Sequence, residues 1–213
     1  MYAQVVVLTY QSPDIDSYIY DVPEKLESEI KIGQLVRVPF GKRTPMGIIL
    51  STDYRPQTAD YQIKHINSVI LQIPILLPYQ IELLKWLAFY YHAPMVNCLE
   101  AMLPTLPSSQ FRVHSSQTKQ DFEASVNSEQ RTQNQLSVNR EPSTVNQTLV
   151  LVPTINRLPE TMAKFPQAKN YAIYHNELKM SERFAVWQKI LSGQVDFIFG
   201  SRSAIFTPCP ALS

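Results

Sequence analysis

The sequence predicts a chain of two structural classes, with a sheet-rich α+β part first and an α/β part last. Short runs of β-branched and aromatic residues fill the first part without a helical period, and helical stretches follow them. Strands and helices alternate in the last part. We therefore expect a small β-barrel or β-sandwich with C-terminal helices over residues 1–106, a flexible linker over 107–147, and a partial α/β lobe over 148–213.

Composition limits the classes of function. A hydrophobic fraction of 45% is enough to bury a core, and the formal net charge of +1 gives no global attraction to nucleic acid or membrane. Residues 1–106 carry 8 basic and 10 acidic side chains, so any contact with nucleic acid there must be local.

The cysteines and the apolar runs indicate the cellular compartment of the protein. Cys98 and Cys209 lie far apart without a partner spacing, which argues against a disulfide framework or a zinc site and favours free thiols in a reducing cytoplasm. The first residues lack the basic start of a signal peptide. No apolar run reaches the ~18 residues that a membrane span needs. We expect a soluble, cytoplasmic protein without membrane contact.

The clearest local pattern is a hairpin over residues 35–50. Arg37 lies in its first strand, where apolar and polar residues alternate. A turn follows, in which Gly41 supplies backbone freedom beside Lys42 and Arg43. Two cations on a tight turn next to a glycine suit phosphate contacts. An ordinary hairpin with a solvated tip is the open alternative.

The rest of the first part predicts strands and then helices. Residues 5–8, 18–22 and 64–71 favour strands, whereas the polar residues 24–32 predict a loop. A helix from Pro78 up to Pro94 precedes a shorter one over 96–103. The longer helix has a broad aromatic face, which we expect to pack as core against the sheet. That face carries Trp86, Phe89, Tyr90 and Tyr91.

The last part follows a segment rich in Ser, Thr, Gln and Asn, which predicts the linker. Apolar runs at 148–153, 171–175 and 195–199 then predict parallel strands separated by helices. The loop after the third strand holds Arg202 between two serines, at the sheet edge where α/β folds bind ligands. Arg202 is therefore a candidate for phosphate contact, and a structural loop is the open alternative.

Together, these segments resemble the PriA-type replication-restart DNA helicases, the primosomal protein N′ family. Residues 36–43 are similar to that family's signature hairpin, and 84–91 to the helical end of its 3′-DNA-binding domain. The runs at 149–153 and 200–206 are similar to two successive helicase motifs. The resemblance implies a 3′-DNA-binding domain first and part of a RecA-like helicase lobe last.

The resemblance also implies a pocket for the 3′ end of a nascent strand. The family builds it from a Phe-Asp-Tyr run, the hairpin glycine and a later lysine. These map onto Tyr18, Ile19 and Tyr20, onto Gly41, and onto Lys64. Tyrosine rings can stack on a terminal base, and a lysine can pair with phosphate.

Ile19 departs from the family pattern, because its side chain cannot accept a hydrogen bond from a base edge or a 3′-hydroxyl. Asp16 and Asp21 are the nearby carboxylates that stand as alternatives. General DNA binding is therefore a firmer expectation than recognition of a strand end. The candidate DNA-binding residues are Tyr18, Tyr20, Arg37, Gly41, Lys42, Arg43, Lys64 and Arg202.

The motor motifs of the family do not occur in this sequence. A motor needs a phosphate loop, G-x-x-x-x-G-K-[ST], and none of the 5 glycines is followed by Lys-Ser or Lys-Thr. The acidic Asp-Glu-x-His motif, which would hold magnesium, does not occur either. We expect no catalytic residues in this chain, and none of the family's ATP, magnesium and zinc as its cofactors.

Three functions stay open on the sequence alone. The chain can be a DNA-binding protein that recognises forked or single-stranded DNA at a 3′ end in replication restart, without its own motor. It can be a fragment of a split or truncated 3′–5′ helicase, or a remnant that docks replication-restart or single-strand-binding proteins. Because three parallel strands leave open edges, we expect residues 149–213 to be marginal alone or to lean on another chain.

Overall fold

The described part of the chain consists of two sheets, each with helices of its own. The computed structural model describes residues 1–9, 15–52, 63–106 and 146–210. The first three ranges form a five-stranded antiparallel sheet with helices, and the last forms a three-stranded parallel sheet with helices of its own. The linker predicted over 107–147 lies outside the described residues, apart from its last two positions.

The first sheet has the strand order β2-β1-β4-β3-β5, and all neighbouring strands are antiparallel. Its strands are β1 (Tyr2–Val7), β2 (Tyr18–Asp21), β3 (Leu35–Arg37), β4 (Met46–Ser51) and β5 (Ser68–Val69). A one-turn helix, α1 (Glu24–Glu27), lies where the sequence predicted a loop. The α+β class predicted for this part is confirmed.

The sheet curls until its two edges meet, which makes a half-barrel. The Asp21 N–H, at the end of edge strand β2, donates to the Lys64 carbonyl at 2.9 Å, and the Ile66 N–H donates to the Asp21 carbonyl at 2.9 Å. Residues 64–66 lead into β5, the opposite edge strand. Strand edges present unpaired backbone groups, and this closure pairs some of them.

Adjacent residues within the strands serve two separate cores. Val5 and Ile49 belong to the core inside the curl, whereas Val6 and Ile48 belong to the core beneath the helices. Because successive strand side chains point to opposite faces, the continuous apolar runs bury both faces of the sheet.

Two helices, α2 (Pro78–Tyr91) and α3 (Met95–Met102), cover the outer face of this sheet. The first turn of α2 is capped by Gln80, whose Oε1 accepts a hydrogen bond from the Leu77 N–H at 2.9 Å. The helix ends at His92, which adopts a left-handed conformation with a φ of 48°.

The aromatic face of α2 is exposed, so the prediction that it packs as core was wrong. The helix buries Ile81, Leu84 and Ala88 against the sheet. The exposed fractions of its aromatic residues are 52% for Trp86, 79% for Phe89, 60% for Tyr90 and 65% for Tyr91. Aromatic residues surround the C-terminal half of α2, and only one side of a helix can face a sheet.

The parallel sheet has the strand order β6-β8-β7, so the predicted strand–helix alternation is confirmed. Gln147, at the end of the predicted linker, is buried and donates to the Ile190 and Val195 carbonyls at 3.2 and 3.1 Å. The elements in chain order are β6 (Thr148–Leu151), a 3₁₀ turn (Ile155–Arg157), α4 (Leu158–Ala163), β7 (Tyr171–Tyr174), α5 (Met180–Leu191), β8 (Phe197–Gly200) and a 3₁₀ helix (Arg202–Phe206).

The parallel sheet packs against the start of α2. Trp187 of α5 is fully buried, and its indole N–H donates to the Ile75 carbonyl at 3.2 Å. The buried Gln80 side chain donates to the Phe206 carbonyl at 2.7 Å. Tyr79 donates its hydroxyl to the Thr207 carbonyl at 3.2 Å. Support from another chain was one expectation for this lobe, and among the described residues the support comes from the same chain.

We expect Gln80→Ala to lower the free energy of unfolding of the whole chain by about 1–3 kcal/mol, because it removes the hydrogen-bond partner of the Phe206 carbonyl and of the Leu77 N–H. Urea unfolding followed by circular dichroism measures the change. Gln188→Ala, at an exposed glutamine on α5, is the matched control and should stay within about 0.5 kcal/mol of the unmutated chain. Equal stability of both variants would refute the coupling between the two sheets.

We expect Gly33→Ala to destabilise the fold by about 2–4 kcal/mol. Gly33 has a φ of +82°, and a Cβ there would overlap the Leu76 carbonyl oxygen. Gly193→Ala is the control, since Gly193 has a similar φ of +70° with open space where its Cβ would lie. The difference between the two melting temperatures isolates the overlap, and no difference would contradict it.

Candidate nucleic-acid interface

The tip of the β3–β4 hairpin is a tight turn that presents two cations. Phe40 and Arg43 exchange backbone hydrogen bonds, with N···O distances of 2.8 and 3.0 Å. Gly41 between them has a φ of +58°, and nothing lies within 4 Å of where its Cβ would be. Lys42 and Arg43 are exposed, and in the described residues no acidic side chain forms a salt bridge with either. The tip is therefore open to an anion.

The Arg37 side chain forms a hydrogen bond within the hairpin. It is half-buried in β3, and its Nη1 donates to the Thr44 carbonyl at 3.2 Å, across the base of the turn. The guanidinium therefore holds the two arms of the hairpin together. A DNA contact by Arg37, which the sequence predicted, stays a prediction.

The two tyrosines of β2 differ in depth. Tyr18 is half-buried, and its ring meets the Phe40 ring edge-on, with centroids 5.0 Å apart. Tyr20 is only 3% exposed, and its hydroxyl donates to the Pro39 carbonyl at 3.2 Å. Burial raises the pKa of Tyr20 to about 12, so the hydroxyl remains a hydrogen-bond donor at neutral pH. Base stacking by Tyr20, as predicted from sequence, does not fit this placement, because its ring is in the core.

Lys64 lies beside the hairpin. It borders a groove of about 340 Å³ whose walls include Pro39 of the hairpin and His65 and Asn67 of the same segment. Lys64 itself is exposed. The Asn67 N–H donates to the Arg37 carbonyl at 2.9 Å, and this pairing brings the predicted lysine next to the strand that leads into Gly41. Sequence reasoning missed His65 and Asn67, and their only signal is that they follow Lys64.

The two carboxylates considered in place of Ile19 have other partners. Asp21 Oδ2 lies 2.7 Å from His65 Nδ1, at the edge of the Lys64 segment. Asp16 Oδ1 accepts a hydrogen bond from the Met95 N–H at 3.1 Å, at the start of α3. Of the two, Asp21 therefore lies next to the groove, and Asp16 ties β2 to the helices.

Arg202 lies in the other sheet, exposed at the start of the 3₁₀ helix that follows β8. His175 and Ser203, which follow β7 and β8, each have a buried polar atom without a hydrogen-bond partner in the described residues. These side chains mark the carboxyl edge of the parallel sheet, where such sheets bind ligands. Arg202 thus forms a second candidate position, separate from the hairpin.

The described residues hold no cluster of His, Cys, Asp or Glu side chains placed to bind a metal ion. Their helices include none with the length and apolar character of a membrane span.

Comparison with known proteins agrees with this geometry. Residues 6–104 match the family model of the PriA 3′DNA-binding domain. The replication restart protein PriA of Helicobacter pylori strain J99 is 25% identical over 202 residues, which cover 84% of this chain and 32% of that protein. The replication restart protein PriA of Synechocystis is 39% identical over 66 residues, which cover 30% of this chain and 8% of that protein.

The chain spans about a third of the length of the relatives that match most of it. One of these is the replication restart protein PriA of Rickettsia conorii, which is 23% identical over 220 residues, 89% of this chain. The matched range contains the end of β1, strands β2 to β5 with the hairpin, the Lys64 groove and both covering helices. Residues 6–104 are therefore similar to the 3′DNA-binding domain of PriA-type replication restart proteins.

Proposed function

We propose that this chain binds forked or single-stranded DNA at a strand's 3′ end, in the cytoplasm, as part of replication restart. The observation that carries the proposal is the groove between the hairpin and Lys64, inside a domain that matches a 3′DNA-binding family. The match to a 3′DNA-binding domain is what favours the end of a strand over its middle.

In this proposal, each contact has a separate physical role. Lys42 and Arg43 meet backbone phosphates as solvated charges, and Lys64 pairs with the phosphate nearest the strand end. Tyr18, supported edge-on by Phe40, offers a ring to the terminal base. Few cations are involved, so binding depends only modestly on salt.

For residues 148–213 we propose a partial RecA-like helicase lobe that performs no ATP chemistry by itself. The parallel β6-β8-β7 sheet and the carboxyl-edge position of Arg202 support this, as does the sequence without a phosphate loop. Neither ATP, magnesium nor zinc is then a cofactor of the chain. The second candidate is a helicase fragment whose motor comes from another polypeptide, which is favoured by a helicase-like part without a phosphate loop in this sequence. Replication-restart or single-strand-binding proteins are the proposed protein partners.

We expect the double variant Lys42→Ala/Arg43→Ala to bind a model fork about tenfold more weakly at low salt. Two lost phosphate contacts should reduce the slope of log K against log salt by about 1.4–1.8. Fluorescence anisotropy of the full chain measures both. Lys31→Ala/Lys189→Ala removes the same charge from exposed positions elsewhere and should change neither quantity. Equal effects of the two double variants would mean that only net charge matters.

We expect the chain to bind a fork with a free 3′-hydroxyl several-fold more tightly than the same fork with a 3′-phosphate, because the added phosphate brings negative charge close to the Asp21 carboxylate beside the groove. Lys64→Ala should reduce that difference. Competition between the two forks for a labelled one measures the ratio. Equal binding of both forks would remove strand-end recognition and leave general DNA binding.

A further inference from the structure

An exposed aromatic stripe runs along α2. We define the α2 stripe as Tyr79, Trp86, Phe89 and Tyr90, whose exposed fractions are 43%, 52%, 79% and 60%. Residues three, four and seven apart share one side of a helix, and these lie opposite the buried Leu84. The Trp86 and Tyr90 rings are nearly parallel, with an interplanar angle of 17° and centroids 4.9 Å apart.

The stripe is a large exposed apolar patch for a protein of this size. Each aromatic side chain has about 150–250 Å² of surface, so the exposed part of the stripe amounts to about 500 Å². That lies at the upper end of the apolar patches on monomeric proteins, which are often functional. The contacts near the two ends of α2 indicate what binds to the stripe.

Contacts at the start of α2 and just beyond its end lead towards the two candidate DNA regions. At its start, Tyr79 and Gln80 contact Thr207 and Phe206, at the end of the 3₁₀ helix that begins with Arg202. Just beyond its other end, the Met95 N–H donates to Asp16, two residues before Tyr18. The helix has 14 residues and is thus about 21 Å long. The stripe therefore lies on the helix that links the two candidate regions.

The charges beside the stripe do not oppose a nucleic acid. Lys85 Nζ lies 2.8 Å from Glu82 Oε1, so the acidic side chain next to Trp86 is neutralised by an adjacent cation. Exposed cations are present in both candidate regions, as Arg202 in one and as Lys42 and Arg43 in the other. A nucleic acid bound on the stripe would contact the aromatic rings through its bases and the cations of the two candidate regions through its phosphates.

We propose that the α2 stripe is a stacking platform for unpaired bases of a single DNA strand that runs from the hairpin groove towards Arg202. The inference rests on the proposed function and adds a binding surface to it. Aromatic rings stack on any base, so the platform accepts single strands without sequence preference. Paired bases have no free faces, so the stripe contributes nothing to binding of blunt duplex.

Intrinsic fluorescence of the full chain tests the platform directly. The chain has 2 tryptophans, and Trp187 is fully buried whereas Trp86 is 52% exposed. We expect an oligo(dT) tail on a model fork to quench the Trp86 emission, and blunt duplex to leave it unchanged. Trp86→Phe, which keeps a stacking ring, should retain most of the affinity and lose the quenching.

Trp86→Ala and Tyr90→Ala should each weaken binding of the tailed fork by about 5- to 100-fold, with melting temperatures unchanged. Tyr171→Ala, at a 41% exposed tyrosine in β7, is the control and should leave the affinity unchanged. Tail binding without quenching and without loss in these variants overturns the platform and leaves the proposed function standing. A concentration-dependent dimer that Trp86→Ala abolishes, with tail binding intact, overturns it in favour of self-association. A chain that binds no DNA refutes both proposals.

Discussion

The first turn of α2 is the point on which the arrangement of the two sheets depends. Gln80 is 1% exposed, and its amide group serves two hydrogen bonds in opposite directions, one to Leu77 and one to Phe206. A buried polar side chain is stable only when its bonds are satisfied. The parallel sheet must therefore stay against α2, and Trp187 fills the adjoining core. This fixes where Arg202 and the exposed stripe lie relative to the curled sheet.

Closure of the curled sheet places the candidate groove. The Asn67 N–H donates to the Arg37 carbonyl at 2.9 Å, which brings the Lys64 segment next to Pro39 of the hairpin. Pairing of Asp21 with residues 64–66 holds the same segment against β2. Neither the hairpin nor the lysine makes a groove by itself. The same closure points Asp21 towards His65, which gives the site an acceptor near the position where Ile19 has none.

Local patterns predicted much of the fold and less of the site. Alternation and turn chemistry located the hairpin, and apolar runs located the parallel strands, because both signals lie within a few neighbouring residues. Tyr18 and Tyr20 share one side of β2, and only the depth of the curl decides that Tyr20 is buried. Similarly, the composition of α2 cannot tell which side meets the sheet, so Trp86 was assigned to the core. Both errors concern long-range packing, which local periodicity does not contain.

The central claim is that the groove between the hairpin and the Lys64 segment holds the end of a DNA strand. Amide chemical shifts of the full chain, followed while a short single strand with a free 3′-hydroxyl is added, test it most directly. The claim predicts that the largest changes occur at Gly41, Lys64, His65 and Asn67. Changes confined to the acidic surface around Glu24 and Glu27, or no changes at all, would contradict it.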